Sequence, residues 1–139
     1  MTAEEIIAHL NLERHPEGGW FRETWRAENE GRATGTCIYF LLQADERSHW
    51  HRVDATEIWL YHAGAPLTLS LSATEDGPAT DHLLTPDLIS GAPQVIVPVN
   101  HWQSAQSTGD YTLVSCTVSP GFEFDGFELA EPDFDIPRA

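Results

Sequence analysis

Leu67-Thr68-Leu69-Ser70-Leu71-Ser72 alternates leucine with a small polar residue, the period of two expected of a strand buried on one face. Two further runs, Thr36-Cys-Ile-Tyr-Phe-Leu-Leu42 and Tyr111-Thr-Leu-Val-Ser-Cys-Thr-Val118, are apolar on both faces. They fit strands covered on each side, as between two sheets or at a subunit contact. The predicted strands are Trp20–Ala27, Thr34–Gln43, Ser48–Arg52, Glu57–Ala63, Leu67–Ala73, Gln94–Pro98, Trp102–Gln106 and Tyr111–Val118. Turn chemistry separates them at Gly64-Ala65-Pro66, Asp76-Gly77, Gly91-Ala92-Pro93 and Gly109-Asp110. Short strands so punctuated predict an all-β sandwich or small barrel. One short helix precedes it: Thr2 and Glu5 have capping-box spacing, and Ile6, Ile7 and Leu10 recur at helical intervals. His15-Pro-Glu-Gly-Gly19 then reads as a turn. In the tail from Pro120, Phe122, Phe124, Phe127 and Leu129 interleave with acids, and the tail is expected to pack across the domain or onto a partner chain.

The length of 139 residues sets the expectation of one domain over 1–139 that buries about two thirds of its unfolded surface. All 7 basic residues are arginine, so mechanisms built on lysine, such as a Schiff base or the P-loop phosphate grip, are excluded. The 22 acidic residues leave a formal charge of -15, which argues against nucleic acid and against an anionic membrane surface as partners. No apolar run approaches a spanning length, and Met1–Leu10 does not look like a secretion signal. A cytoplasmic location is the expectation. Cys37 and Cys116 sit in apolar β-like runs and read as small buried hydrophobes.

The chemistry concentrates in Ser48-His-Trp-His-Arg-Val-Asp-Ala-Thr-Glu-Ile-Trp-Leu-Tyr-His-Ala-Gly64. His49 and His51 stand at i and i+2, which on a strand aims both imidazoles one way, a metal-ligand spacing. Glu57 follows across a turn and returns a carboxylate to the same barrel mouth. Glu57, Trp59 and Tyr61 share one strand face, and a ligand cavity explains why that face is partly polar. Around Pro98-Val-Asn-His-Trp-Gln-Ser-Ala105, His101 and Gln103 add hydrogen-bonding groups, and Arg22 and Glu23 add a charged pair within an aromatic strand. Aromatic walls with a few polar groups describe a small-molecule pocket. No partner is evident for His9, His15, His62 or His82, which read as exposed or structural.

The runs His15-Pro-Glu-Gly-Gly-Trp-Phe-Arg-Glu-Thr24, Ile38-Tyr-Phe-Leu-Leu42, Trp50-His-Arg-Val-Asp54, Glu57-Ile-Trp59, Gln94-Val-Ile-Val-Pro98, Pro120-Gly-Phe-Glu-Phe124 and Phe127-Glu-Leu-Ala130 resemble a cupin-superfamily group catalogued as a domain of unknown function. The resemblance implies a double-stranded β-helix, or cupin jelly roll, similar to the sugar-nucleotide epimerases, and a homodimer. Against the general cupin pattern, His49, His51, Glu57 and Gly64 look like the first motif, with five residues instead of three or four between His51 and Glu57. Pro98 looks like the start of the second motif, with Asn100 at its glycine and Gln103 at its metal-binding histidine.

The resemblance implies a small-molecule-binding protein, with epimerase- or isomerase-type proton transfer on a carbohydrate-like or nucleotide-sugar-like metabolite as the leading expectation. His51 is then the base, Glu57 its orienting group and Tyr61 or Tyr39 the proton donor. Trp59, His101, Gln103 and Glu23 contact the substrate, and Arg22 or Arg52 takes its anionic group. Two alternatives stand beside it. One is a metal-dependent dioxygenase or lyase holding a divalent metal on His49, His51 and Glu57. The other is a non-catalytic sensor or storage protein.

Overall fold

The computed structural model describes residues 1–138. Helix α1 (Ala3–Leu10) begins where predicted: the Thr2 hydroxyl accepts the Glu5 N–H, and the Glu5 carboxylate accepts the Thr2 N–H. Strands β1 (Glu13–Arg14), β2 (Trp20–Arg26), β3 (Thr36–Gln43), β4 (Arg47–Val53), β5 (Thr56–Gly64), β6 (Leu67–Ser72), β7 (Thr80–Leu84), β8 (Gln94–Val97), β9 (Trp102–Ser107), β10 (Tyr111–Ser119) and β11 (Phe127–Leu129) follow. They form two antiparallel sheets, ordered β1-β2-β3-β10-β5-β8 and β11-β4-β9-β6-β7. The two sheets make a jelly roll, the fold expected from the sequence.

Three strands were not anticipated, each for a local reason. β1 has only two residues, β7 is mostly polar and exposed, and β11 lies in the acidic tail. Pairing partners impose them: β7 runs against β6, and Phe127 of β11 stands opposite Val53 of β4. That pairing folds the Phe-rich tail across its own domain, where Ile136 is fully buried beside Trp50 and Trp102.

Phe40 and Leu42 of β3 face the inter-sheet core with Trp59, Leu67, Leu69 and Val114. Leu41 faces the other way and is covered by Ala3, Ile6 and Leu12, so the two-sided apolar character of β3 is met by a sheet on one side and α1 on the other. The polar positions of β6 are not wet as the alternation suggested. Ser70 and Ser72 are buried: Arg138 folds back to donate to the Ser70 Oγ at 2.9 Å, and the Ser72 hydroxyl donates to the Thr74 carbonyl. Cys37 and Cys116 are free thiols, the second fully enclosed. Among the described residues no helix is long and apolar enough to cross a membrane.

Candidate functional site

A cavity of about 330 Å³ opens between the sheets. Its floor is built by the turn His15–Gly19 and the facing strand β4. The His15 N–H donates to the Gly19 carbonyl and the Gly18 N–H to the His15 carbonyl, each at 3.0 Å. Gly18 adopts φ +111, and a Cβ there would collide with the Arg47 carbonyl oxygen. Only glycine fits so close to β4 in this left-handed conformation. The approach lets the Glu17 carbonyl accept the His49 N–H at 2.8 Å and carries the Glu17 carboxyl inward, where the Ser48 hydroxyl donates to its Oε2.

Glu17 Oε1 lies 3.4 Å from His51 Nε2 and 3.4 Å from His15 Nδ1. The tautomers follow from what each ring nitrogen meets. The His15 Nδ1 accepts the Glu17 backbone N–H at 3.1 Å and is therefore unprotonated. The His51 Nδ1 meets the His49 carbonyl at 2.8 Å. A carbonyl only accepts, so Nδ1 carries the proton and His51 Nε2 turns a lone pair toward Glu17. Burial pushes the Glu17 carboxyl up to about 8, partly offset by the Ser48 hydrogen bond. Glu17 is thus mainly protonated at neutral pH, and since Oε2 accepts from Ser48, Oε1 is the atom that carries a proton toward His51. Burial lowers both histidines, His15 to about 4, with His51 adding to that shift. His51 is lowered by burial against the opposing pull of the Glu57 charge.

Glu57 enters from β5. Its Oε1 accepts the Gln103 Nε2–H at 2.9 Å, and Gln103 Oε1 accepts the Trp59 indole N–H at 2.8 Å. Burial raises Glu57 to about 7; the Glu17 charge adds to this, while His51, Gln103 and the Cys116 thiol oppose it. At the mouth, Arg26 grips Glu23 with two hydrogen bonds of 2.9 Å and donates to the Phe122 carbonyl at 3.0 Å.

Of the residues singled out from sequence, His51, Glu57 and Glu23 line the cavity. Gln103 and Trp59 stand behind Glu57 and hold it. His49 does not join His51: the β4–β9 register shifts between Ser48 and His51, so Ser48 and His51 point inward while the His49 ring meets the Glu131 carbonyl at 2.7 Å. Tyr61 has the parity of Glu57 but sits four residues, about 13 Å of strand, further along, and its hydroxyl donates to the Gly64 carbonyl at 2.6 Å. Arg22 and Tyr39 fall on the outer face of the six-stranded sheet, the guanidinium 5.9 Å from the ring centre. Arg52 pairs with Glu128 at 2.8 Å and lies over Trp102. His101 stays in the loop before β9, its Nδ1 3.4 Å from the Val99 carbonyl.

His15, Glu17 and Arg26 were not among the expected site residues. The available signal was Glu17 between proline and two glycines: such a turn is held rigidly, and a rigid turn can aim a carboxyl inward. The proposed metal set is not assembled. With His49 committed outside, His51 and Glu57 remain, and among the described residues no group of three or more histidine, cysteine, aspartate or glutamate side chains is placed to hold a metal ion.

The comparisons agree with this architecture. A protein from Shewanella oneidensis is 40% identical over 94% of this chain and 85% of its own, with a TM-score of 0.89. A hypothetical protein from Leishmania major is 33% identical over 94% and 88%, with a TM-score of 0.83. Oxalate decarboxylase from Bacillus subtilis shares the fold alone, at 14% identity over 84% of this chain and 29% of its own, with a TM-score of 0.64. No curated protein matches the chain. The family described as cupin superfamily (DUF985) matches residues 4–130, and the chain belongs to that family.

Proposed function

We propose that the barrel binds a small metabolite and moves a proton on it, an isomerase- or epimerase-type reaction with His51 as base and Glu17 as acid. The observation that carries the reading is the opposed pair itself: His51 Nε2 lies 3.4 Å from the buried Glu17 carboxyl, whose burial favours the protonated acid. His51 takes a proton from carbon next to a carbonyl, and Glu17 Oε1–H donates to the carbonyl oxygen as charge develops there. The proton now on His51 Nε2 is delivered to a different carbon of the enol (isomerisation), or to the same carbon on its other face once the intermediate has turned (epimerisation); an enol O–H returns a proton to Glu17, so both groups end as they began and the substrate does not. Glu17 takes the part expected of Tyr61 or Tyr39. Glu57, held by Gln103, orients the site and favours the imidazolium as it forms. The reading includes a cytoplasmic homodimer, with β2 as the contact, supported by Trp25 at 56% exposure; a single 15.5 kDa species in analytical ultracentrifugation would remove that part.

The test uses no named substrate. Protein and a small-molecule cell extract are incubated in D₂O, and mass spectrometry looks for compounds gaining carbon-bound deuterium. Wild-type protein is expected to label at least one compound that His51→Asn protein does not. No labelling above that variant refutes proton transfer and leaves a pocket that only binds.

A further inference from the structure

The charges at the cavity are arranged unlike those of a phosphate or sugar-nucleotide site. Four glutamates, 17, 23, 57 and 123, line it, and Arg26 is the cation among the described lining residues. Both of its two-nitrogen edges are already used in part or in whole: Nε and Nη2 serve Glu23, and the second Nη2 N–H serves the Phe122 carbonyl, which leaves Nη1 as the one nitrogen outside these bonds. The nearby Arg32 is likewise committed, to Asp54 and to the Gly121 carbonyl. Binding a phosphate or carboxylate needs a guanidinium edge free to donate two parallel hydrogen bonds. An entering anion would meet the single nitrogen Nη1, or would have to break the Arg26–Glu23 pair to gain a two-nitrogen edge, and in either case would approach against the field of a -15 chain.

The walls say as much about the body of the ligand. Phe21, Ile38, Val53, Val118, Phe122 and Phe124 surround the space above the floor. Each hydroxyl of a sugar ring would lose its water against these side chains without a hydrogen-bond partner, at a cost for every group left unpaired. Thr36 Oγ1 accepts the Phe122 N–H at 3.1 Å, and Glu23 with Arg26, and Glu123 with Arg32, are paired toward the mouth; the polar groups left to a ligand are His51 Nε2 and the carboxyls of Glu17 and Glu57 at the floor. They suit one head group that both accepts and donates.

We infer that the cavity takes an uncharged, largely apolar small molecule with a single carbonyl or hydroxyl head, and that phosphorylated and nucleotide-linked sugars do not bind. This narrows the substrate class of the site proposed above and rests on that site being the ligand site, not on its chemistry. In the test, wild-type protein is equilibrated with a cell extract, separated by gel filtration, and its retained compounds are identified by mass spectrometry. Enrichment is measured over Val118→Trp protein, whose cavity is filled from β10, and over Thr36→Phe protein should the first not fold. Neutral, mainly hydrocarbon carbonyl or hydroxyl compounds enriched about tenfold are expected. Enrichment of a phosphorylated compound, or of a free sugar, overturns the inference. No enrichment at all overturns it together with the ligand site. As defined probes, acetophenone is expected to raise the wild-type melting temperature at millimolar concentration, and glucose 1-phosphate to leave it unchanged; the reverse result also overturns the inference. A neutral compound that is captured but gains no deuterium would remove the proton-transfer reading and leave this one standing.

Discussion

Replacing Glu17 by glutamine should change how stability depends on pH more than it changes the fold. A carboxyl whose pKa is raised on folding takes up a proton as the chain folds. Its contribution is full below the unfolded value of 4.5 and is lost as pH rises through the folded value, about 8 for Glu17 and about 7 for Glu57. Between pH 6.5 and 8.5 linkage gives a loss of about 2 kcal/mol from Glu17 and about 1 kcal/mol from Glu57. The other titrating groups packed around this pair act outside that window or weakly within it. His15 and His51 are held neutral by burial, so their contributions rise with pH but are nearly complete above the ordinary histidine range. The Cys116 thiol is pushed well above 9.0, chiefly by burial, and acts only at higher pH. Half-protonated in the unfolded chain at pH 6.5, the two histidines together return about 1 kcal/mol across the window, so urea unfolding at pH 6.5, 7.5 and 8.5 should show a net loss of about 2 kcal/mol for wild-type protein and almost none for Glu17→Gln protein. The variant's amide reproduces the protonated carboxyl, its oxygen accepting from Ser48 and its NH₂ facing His51 Nε2. Equal pH slopes for the two proteins would refute the assignment of a protonated, buried Glu17.

Other outcomes follow from single contacts. His49→Ala loses a ring hydrogen bond to the Glu131 carbonyl; it should cost no more than about 1 kcal/mol in urea unfolding and leave the deuterium labelling intact. Gly18→Ala forces a side chain into the left-handed region and onto the Arg47 carbonyl; a stability loss above about 1 kcal/mol is expected, with reduced deuterium labelling because Glu17 is displaced. Trp59→Phe removes the indole N–H that Gln103 accepts; the unpaired amide oxygen should cost about 1–3 kcal/mol, read as a lower urea midpoint at pH 6.5.

The β character of the chain was legible because side-chain alternation is local: Leu67, Leu69 and Leu71 report one face whatever the rest of the chain does. That His51 and Glu57 face the cavity was legible for a similar reason, since both are titratable groups at inward positions of strands. His49 and Tyr61 were misplaced where a local rule met a nonlocal fact. Alternation predicts that His49 follows His51, but the irregular pairing of β4 with β9 turns it outward. Shared parity joins Tyr61 to Glu57, but parity says nothing about distance along the barrel.

The sequence by itself determined eight of the eleven strands, the single capped helix, the absence of lysine chemistry and the acidic field, because composition and short-range periodicity need no knowledge of what packs against what. The tertiary structure alone decided which groups meet. It brought the turn residue Glu17 to within 3.4 Å of His51, closed Arg26 on Glu23, and sent Arg22 and Arg52 away from the cavity. In sequence the proline–glycine turn shows that the Glu17 carboxyl is held, and not whether it is covered. The carboxyl becomes an acid that keeps its proton only when a second sheet buries it, and burial is a property of the folded whole.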